Sequence, residues 1–475
     1  MRAKKIIQRI LFTAVIFCLT AGGCLWAGRP VYGRKVISVK INQGNFPDKY
    51  FRMFVKKYFD RDGDGILSVR EIEKTTSINL KKDFPGTSLK GIEHFSRLQS
   101  FTLHEDYWDP EKKESLSNHV EEIDLSANSG LKEVKIADKS LKSLDLGSSG
   151  SLEVLYLAGP VDSPDLTAKS GLKELILSCG LSSLDLSENR ELVTVDLRGN
   201  ALKSLKIGSG KLTSLNCRDN QLQKLELAAP ENLTELVCDC NELTTLELSG
   251  MQSLESLYCG QNKLTGLDLT DAASLKVLSC YNNEIGELDL SACSGLESLV
   301  ADGMKLESLD LSKAEGLKEL SCSGNAVTGL DLSHNKDLEQ LVISGNKLEE
   351  LDLTANEKLV YVNASQNALT GLKWGKLPLL TGLNVNGNLL EELDPSGLEA
   401  CRNVECAGNS LKELSTGKEV VYLDCRDNEL GSLNVKASAG LKVLFCGNNY
   451  LTSLDLTSNT QLESPDCDET VTVQK

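Results

Sequence analysis

The chain has 475 residues and a formal charge of −17, with 25% charged and only 5% aromatic residues, 38 glycines and 15 cysteines. An acidic surface of that size argues against nucleic acid or anionic lipid as the partner, and with so few rings the core must rest on leucine. Length alone would suggest roughly three globular domains, an expectation that an internal repeat overrides.

Arg2, Lys4, Lys5 and Arg9 precede an uncharged, mostly apolar run over 10–27. Such a pairing marks an export signal, assigned to 1–23, and its loss would take the charge from −17 to −21 by removing four positive groups. Within the run, Leu19-Thr20-Ala21-Gly22-Gly23-Cys24 resembles a bacterial lipoprotein box, whose cysteine is acylated, with Ala21 where that pattern usually has Leu. Three outcomes stay open: acylation of Cys24, simple cleavage near Gly23 or Ala27, and an uncleaved anchor, since the run over 10–27 is just long enough to span a bilayer. All three place the protein outside the cytoplasm, extracellular or on the cell surface. The only membrane contact expected is through that N-terminal anchor.

Residues 24–75 have a different composition. Over 46–59 the spacing predicts a helix with Phe51, Phe54, Val55, Tyr58 and Phe59 on one face. Next comes Asp60-Arg-Asp62-Gly-Asp64-Gly65-Ile66-Leu-Ser68-Val-Arg-Glu71, which fits an EF-hand-type calcium loop position by position. Calcium is a hard cation that takes six to eight oxygens. Asp60, Asp62 and Asp64 would give carboxylate oxygens, Ile66 its carbonyl, Ser68 a direct or water-borne ligand and Glu71 two oxygens. The plainer reading is a solvated acidic turn in which Ser68 and Glu71 form a capping box. The segment after Glu71 is too short for a second long helix and no paired loop follows, which points to one structural ion.

From 76 to 467 the chain repeats. Cys217, Cys238, Cys259 and Cys280 recur at one fixed short interval, each within Leu-x-x-Leu-x-Cys-x-x-Asn-x-Leu-x-x-Leu-x-Leu. The same column continues through Cys322, Cys406, Cys425, Cys446 and Cys467, and an Asn follows a turn later from Asn200 to Asn449. Self-similarity at so short a period means a solenoid. Leu-x-x-Leu-x-Cys turns three side chains inward around a short strand, the strands stack in parallel about 4.8 Å apart, and the Asn amide serves the turn. A coil this short has no room for a return helix, so the convex side is expected to be extended or tightly turned. The fold class is thus a leucine-rich repeat solenoid, with a curved parallel sheet on its concave face and a small helical calcium-loop cap. Irregularities include an enlarged first coil carrying His104, Tyr107, Trp108 and His119, and Pro465 in place of a core Leu. Residues 468–475 are read as a C-terminal tail.

The run from Ile41 through the calcium loop, followed by SLKGIEHFSRLQSFTL, looks like the N-terminal module of bacterial surface leucine-rich repeat proteins. The cysteine-bearing coils resemble the internalin J class, in which stacked cysteines form a ladder. That resemblance covers residues 41 to about 467 and implies an extracellular or cell-surface binding protein, of a kind often studied as adhesins. The chain lacks the wall-sorting motif common in that family.

Catalysis has little support: the four histidines are scattered at 94, 104, 119 and 334, and no nucleophile elbow, phosphate loop or His-Glu-x-x-His motif occurs. A zinc site from His104, Glu105, Asp106 and His119 lacks ligand spacing. The cysteine ladder is expected to be buried, reduced thiol. The reading is therefore a non-enzymatic binding protein whose concave sheet takes a protein ligand. The alternative is a glycan-binding or envelope-associated spacer. Outward positions by register include Tyr258, Tyr281 and Phe445, with Val237 and Val300 beside the first two, and the Tyr107–Trp108 loop offers a second surface.

Overall fold

The computed structural model describes residues 37–80, 84–103 and 120–475. The export segment with Cys24, and the insertion with His104, Tyr107, Trp108 and His119, lie outside the described residues.

Each coil opens with a short strand whose middle residue points inward. In Ser214–Asn216, Leu215 is fully buried between two half-exposed neighbours, and Cys217 follows it into the core. Leu215 pairs in register with Leu236, Leu236 with Leu257 and Leu257 with Leu278. Eighteen such strands, from Ser77–Leu80 to Val443–Phe445, form one parallel sheet. Among the described strands, the first pairs only with Ser100–Leu103 and the last only with Tyr422–Asp424, so the sheet is open. At about 4.8 Å per rung it runs roughly 80 Å.

The opposite side is extended, as so short a coil demands. Its longest ladder joins Leu184–Leu186, Ser204–Ile207 and Lys224–Leu227 in parallel, and the helical pieces described in the array, Ile92–His94 and Pro395–Gly397, have three residues each. Corners there are set by aspartates. Asp268, Asp289, Asp310, Asp331 and Asp352 each accept the backbone N–H two positions on, from Thr270, Ser291, Ser312, Ser333 and Thr354. Such Asx turns let a short polar side chain stand in for a backbone partner. The molecule is a leucine-rich repeat solenoid.

The recurring Asn joins consecutive coils. Asn262 Nδ2 donates to the carbonyls of Cys238, Cys259 and Gly260, and its Oδ1 accepts the Leu243 N–H. One side chain so satisfies backbone groups of two rungs that the turn would otherwise bury unpaired. The residue just before it adopts the left-handed conformation. That position holds Gly in several coils, and Asp219, Cys240, Gln261 and Asn282 at φ 51–56° in others. Cys240 is therefore a turn residue beside the ladder, with its thiol toward Gln261.

At the N-terminal end, α1 (Lys49–Tyr58) and α2 (Val69–Lys74) flank the acidic loop. Asp48 caps α1 by accepting the Tyr50 and Phe51 N–H groups. The buried stripe is narrower than the sequence suggests. Phe51 and Val55 are fully buried and Phe59 packs on Phe95 at 5.2 Å, but Tyr58 is exposed. Residues 51, 55 and 59 follow the i, i+4 row of the helix, and Tyr58 falls one step off it. At the other end, Thr472–Gln474 pairs with Ser453–Asp455, so the segment read as a tail adds a last return strand. Beside Pro465 the long sheet shrinks to a single bridge, Phe445 to Asp466.

Candidate functional site

Two sites emerge. The first is the acidic loop, where ligand oxygens of Asp60, Asp62 and Glu71 all lie within 4.8 Å of one another. Left-handed Gly63 and Gly65 fold the loop back, and their N–H groups donate to Asp60 Oδ1 (2.9 Å) and Oδ2 (3.0 Å). Glu71 is nearly buried and takes the Arg61 N–H on Oε1 (2.6 Å) and both the N–H and hydroxyl of Ser68 on Oε2 (2.8 Å). Burial alone would raise the Glu71 carboxyl, yet these donors outweigh it and hold it below its ordinary value, keeping it anionic. Asp64 instead bonds the Ile66 N–H at 2.7 Å.

The capping box and the carboxylate cluster thus coexist, because Ser68 begins α2 while the other oxygen of Glu71 faces the loop. The sequence reading missed one partner. Val39–Lys40 pairs antiparallel with Ile66–Leu67, so the chain's own upstream strand braces the loop where no second loop follows. So short a strand gives too little pattern to be read from sequence.

The second site is the concave face. The position before the ladder column reads Val237, Tyr258, Ser279, Val300, Ser321 and Val342 over six consecutive rungs, without one charge; Val237, expected to face outward, is buried, as is Ser279, and the first position of the same strands carries Glu235 and Glu319. Burial raises both phenols, with the Glu235 and then the Asp239 carboxylate adding to it at Tyr258 and the Asp239 carboxylate at Tyr281. Tyr281 stands past its strand, Val277–Ser279, with its ring so close to the Gly260 backbone that any side chain there would collide. Asp239 is itself buried, its carboxyl pushed up to about 6 by burial, while the Gly260 N–H (2.7 Å) and Arg218 pull the other way.

Phe445 belongs to a separate group far along the sheet. Its ring meets Tyr422 edge-on at 5.9 Å, and Arg426 lies over it at 4.8 Å while bonding the buried Asp424 at 2.7 Å. The structure therefore sets Tyr258 and Tyr281 on adjacent rungs of one face and Phe445 apart from them.

Behind this face the ladder sulfurs are enclosed. Cys217, Cys238, Cys259 and Cys280 are fully buried, and burial pushes the Cys217 and Cys280 thiols up to about 12. Thiols so desolvated are poor nucleophiles and poor metal ligands.

No protein-family model matches the chain, and neither does any curated protein. Solved structures do. The functional domain of InlJ from Listeria monocytogenes, described as including a cysteine ladder, is 25% identical with a TM-score of 0.50, covering 90% of this chain and 79% of that one. YopM from Yersinia enterocolitica is 24% identical with a TM-score of 0.57, covering 85% and 82%. A leucine-rich repeat protein of Leptospira interrogans is 18% identical with a TM-score of 0.56, covering 84% and 97%. The last two bear on the fold alone.

Proposed function

We propose that this chain is an exported, cell-surface binding protein that takes a protein ligand along its concave sheet, centred on Tyr258 and Tyr281. One observation carries the reading: one column of the sheet, from Val237 to Val342, runs over six successive rungs without a charge in a chain whose net charge is −17. The centres of protein interfaces are depleted in charge and enriched in aromatic anchors, and a rigid sheet presents such anchors without an ordering cost. The cysteine ladder shared with the InlJ domain, and the absence of catalytic motifs, support binding over chemistry. The export signal over 1–23 and Cys24 supply surface placement in this reading. One calcium ion is its resident cofactor, held by Asp60, Asp62 and Glu71 and completed by Asp64, the Ile66 carbonyl and Ser68. There it would neutralise the carboxylates and stiffen the cap.

The test uses immobilised protein and surface extracts from host and bacterial cells. A partner captured by the wild type should bind the Tyr258→Ala/Tyr281→Ala double variant at least about fivefold more weakly, near 1 kcal/mol, with an unchanged melting temperature. Equal affinity would move the site off these rungs, first to the Tyr107–Trp108 loop.

A further inference from the structure

Charge is distributed very unevenly along the chain. Residues 24–59, downstream of the export signal, contain 8 Lys or Arg and one Asp, a net of +7, whereas residues 60–475 carry −28. Whole-chain acidity argues against anionic lipid as a partner, but the N-terminal end reverses the sign. Among the described residues 37–59, five Lys or Arg stand against one Asp, and four of the five, Lys49, Arg52, Lys56 and Lys57, are on the helix α1.

That helix also exposes apolar surface. Among described residues, Val69 of α2 and Tyr50, Met53 and Tyr58 of α1 are exposed large hydrophobic side chains. On α1 they form a single face. Tyr50, Phe54 and Tyr58 follow one i, i+4 row, with the Phe54 and Tyr58 rings 4.7 Å apart. Beside it run Lys49, Met53, Lys56 and Lys57, all exposed. Lys49 Nζ lies 5.9 Å from the Tyr50 ring and Lys57 Nζ 5.0 Å from the Tyr58 ring. The opposite stripe, Phe51 and Val55, is fully buried, so this face turns outward.

We propose that the outward face of α1 is a contact surface for an anionic lipid bilayer, a foot on which the solenoid stands. Basic residues over amphipathic rings are what the headgroup layer of a bilayer takes up: lysines meet phosphates, while tyrosines and a methionine enter the acyl boundary. The net negative charge on the rest of the chain would be repelled by the same surface, which sets the orientation. The acidic groups near the face do not cancel it. Asp48 is engaged by the Tyr50, Phe51 and Thr87 N–H groups, and Asp62 and Asp64 lie beyond the helix in the loop. The proposal rests on the exported reading above, and a lipidated Cys24 would hold α1 near the bilayer without supplying this contact.

The experiment uses Ser38–Lys475, a compact unit that contains α1 and its packing but neither the apolar leader nor Cys24. It is sedimented in EDTA with vesicles of pure phosphatidylcholine or with about one-third phosphatidylglycerol. Binding is expected to the anionic vesicles only and to fade at about 0.5 M salt. Lys49→Glu/Lys56→Glu/Lys57→Glu should weaken it about a hundredfold, since each basic group near such a surface is worth roughly fivefold. Tyr50→Ser/Met53→Ser/Tyr58→Ser should weaken it while leaving the salt dependence in place. Reversing three array lysines instead, Lys263→Glu/Lys305→Glu/Lys318→Glu, should leave binding unchanged, and circular dichroism should report all variants folded. Absence of binding to anionic vesicles, equal binding to neutral ones, or equal loss from the array reversals would overturn the proposal. None of those results touches the concave reading, because the Tyr258→Ala/Tyr281→Ala variant should bind vesicles as the wild type does.

Discussion

At the residue scale, the Asn column is the firmest point of contact between sequence and stability. Replacing Asn262 by Ala would orphan the Leu243 N–H and weaken three carbonyls at once. The expected cost is roughly 3 kcal/mol, read as a lower melting temperature, and a change below about 0.5 kcal/mol would mean the turn finds other partners. Asp239 offers the opposite sign. Its carboxyl is pushed up to about 6 in the folded chain against an ordinary 3.8. Its contribution is therefore fully present below about pH 4 and is lost as pH rises through about 6. Asp239→Asn, which keeps an acceptor for the Gly260 N–H, should stabilise the protein at about pH 7.5 by up to about 3 kcal/mol and make no difference below about pH 4. A pH-independent effect would show that burial of this carboxylate is not the cause. The ladder thiols should stay reduced, because parallel stacking aims their Cβ atoms the same way rather than at each other. Mass spectrometry after alkylation of native protein decides it, and a Cys217–Cys238 link would refute the claim.

At the element scale, the cap was only partly legible. The loop could be found from sequence because each of its positions demands a residue type, and α1 because its apolar residues keep a helical period. Tyr58 was misplaced by one helical step, and the Val39–Lys40 brace was invisible because so short a strand carries no period. These details shape the calcium test. Glu71→Ala removes acceptors for Arg61 and Ser68, so it should destabilise α2 with or without calcium. Asp62 is exposed and makes one long bond, to the Asp64 N–H at 3.3 Å. Asp62→Ala should therefore leave the apo protein unaltered and abolish only the rise in melting temperature that calcium produces. Isothermal titration without heat at millimolar calcium would reduce the loop to a turn.

At the scale of the whole molecule, the period was enough to give the sheet, its register and the absence of return helices, because one column of Leu, Cys and Asn specifies all three. The register also placed Tyr258 and Tyr281 on adjacent rungs but did not show how Tyr281 is accommodated there. Tyr281 reaches its neighbours only because Gly260 leaves room for its ring, a relation between coils that no single repeat encodes. Each coil contacts its neighbours alone, so stability should be graded along the array rather than uniform. Hydrogen exchange should be fastest in 453–475, where the long sheet ends in one bridge, and slowest around Cys217–Cys322. Uniform protection along the chain would contradict this.

The sheet keeps its register while coil length varies. Glu405 still pairs with Asp424 across a shortened coil, and Phe101 with Val134 across the enlarged first one. In the shortened coil the return strand Glu413–Ser415 keeps its pairing too, so the missing residues come out of the link between that strand and Tyr422–Asp424. The two sides of the molecule are thus uncoupled as substrates for evolution: insertions and deletions can accumulate along the outer rim without moving a single contact on the inner one. A lineage could lengthen, decorate or trim the rim, against antibodies or proteases for instance, and still present an unaltered grip.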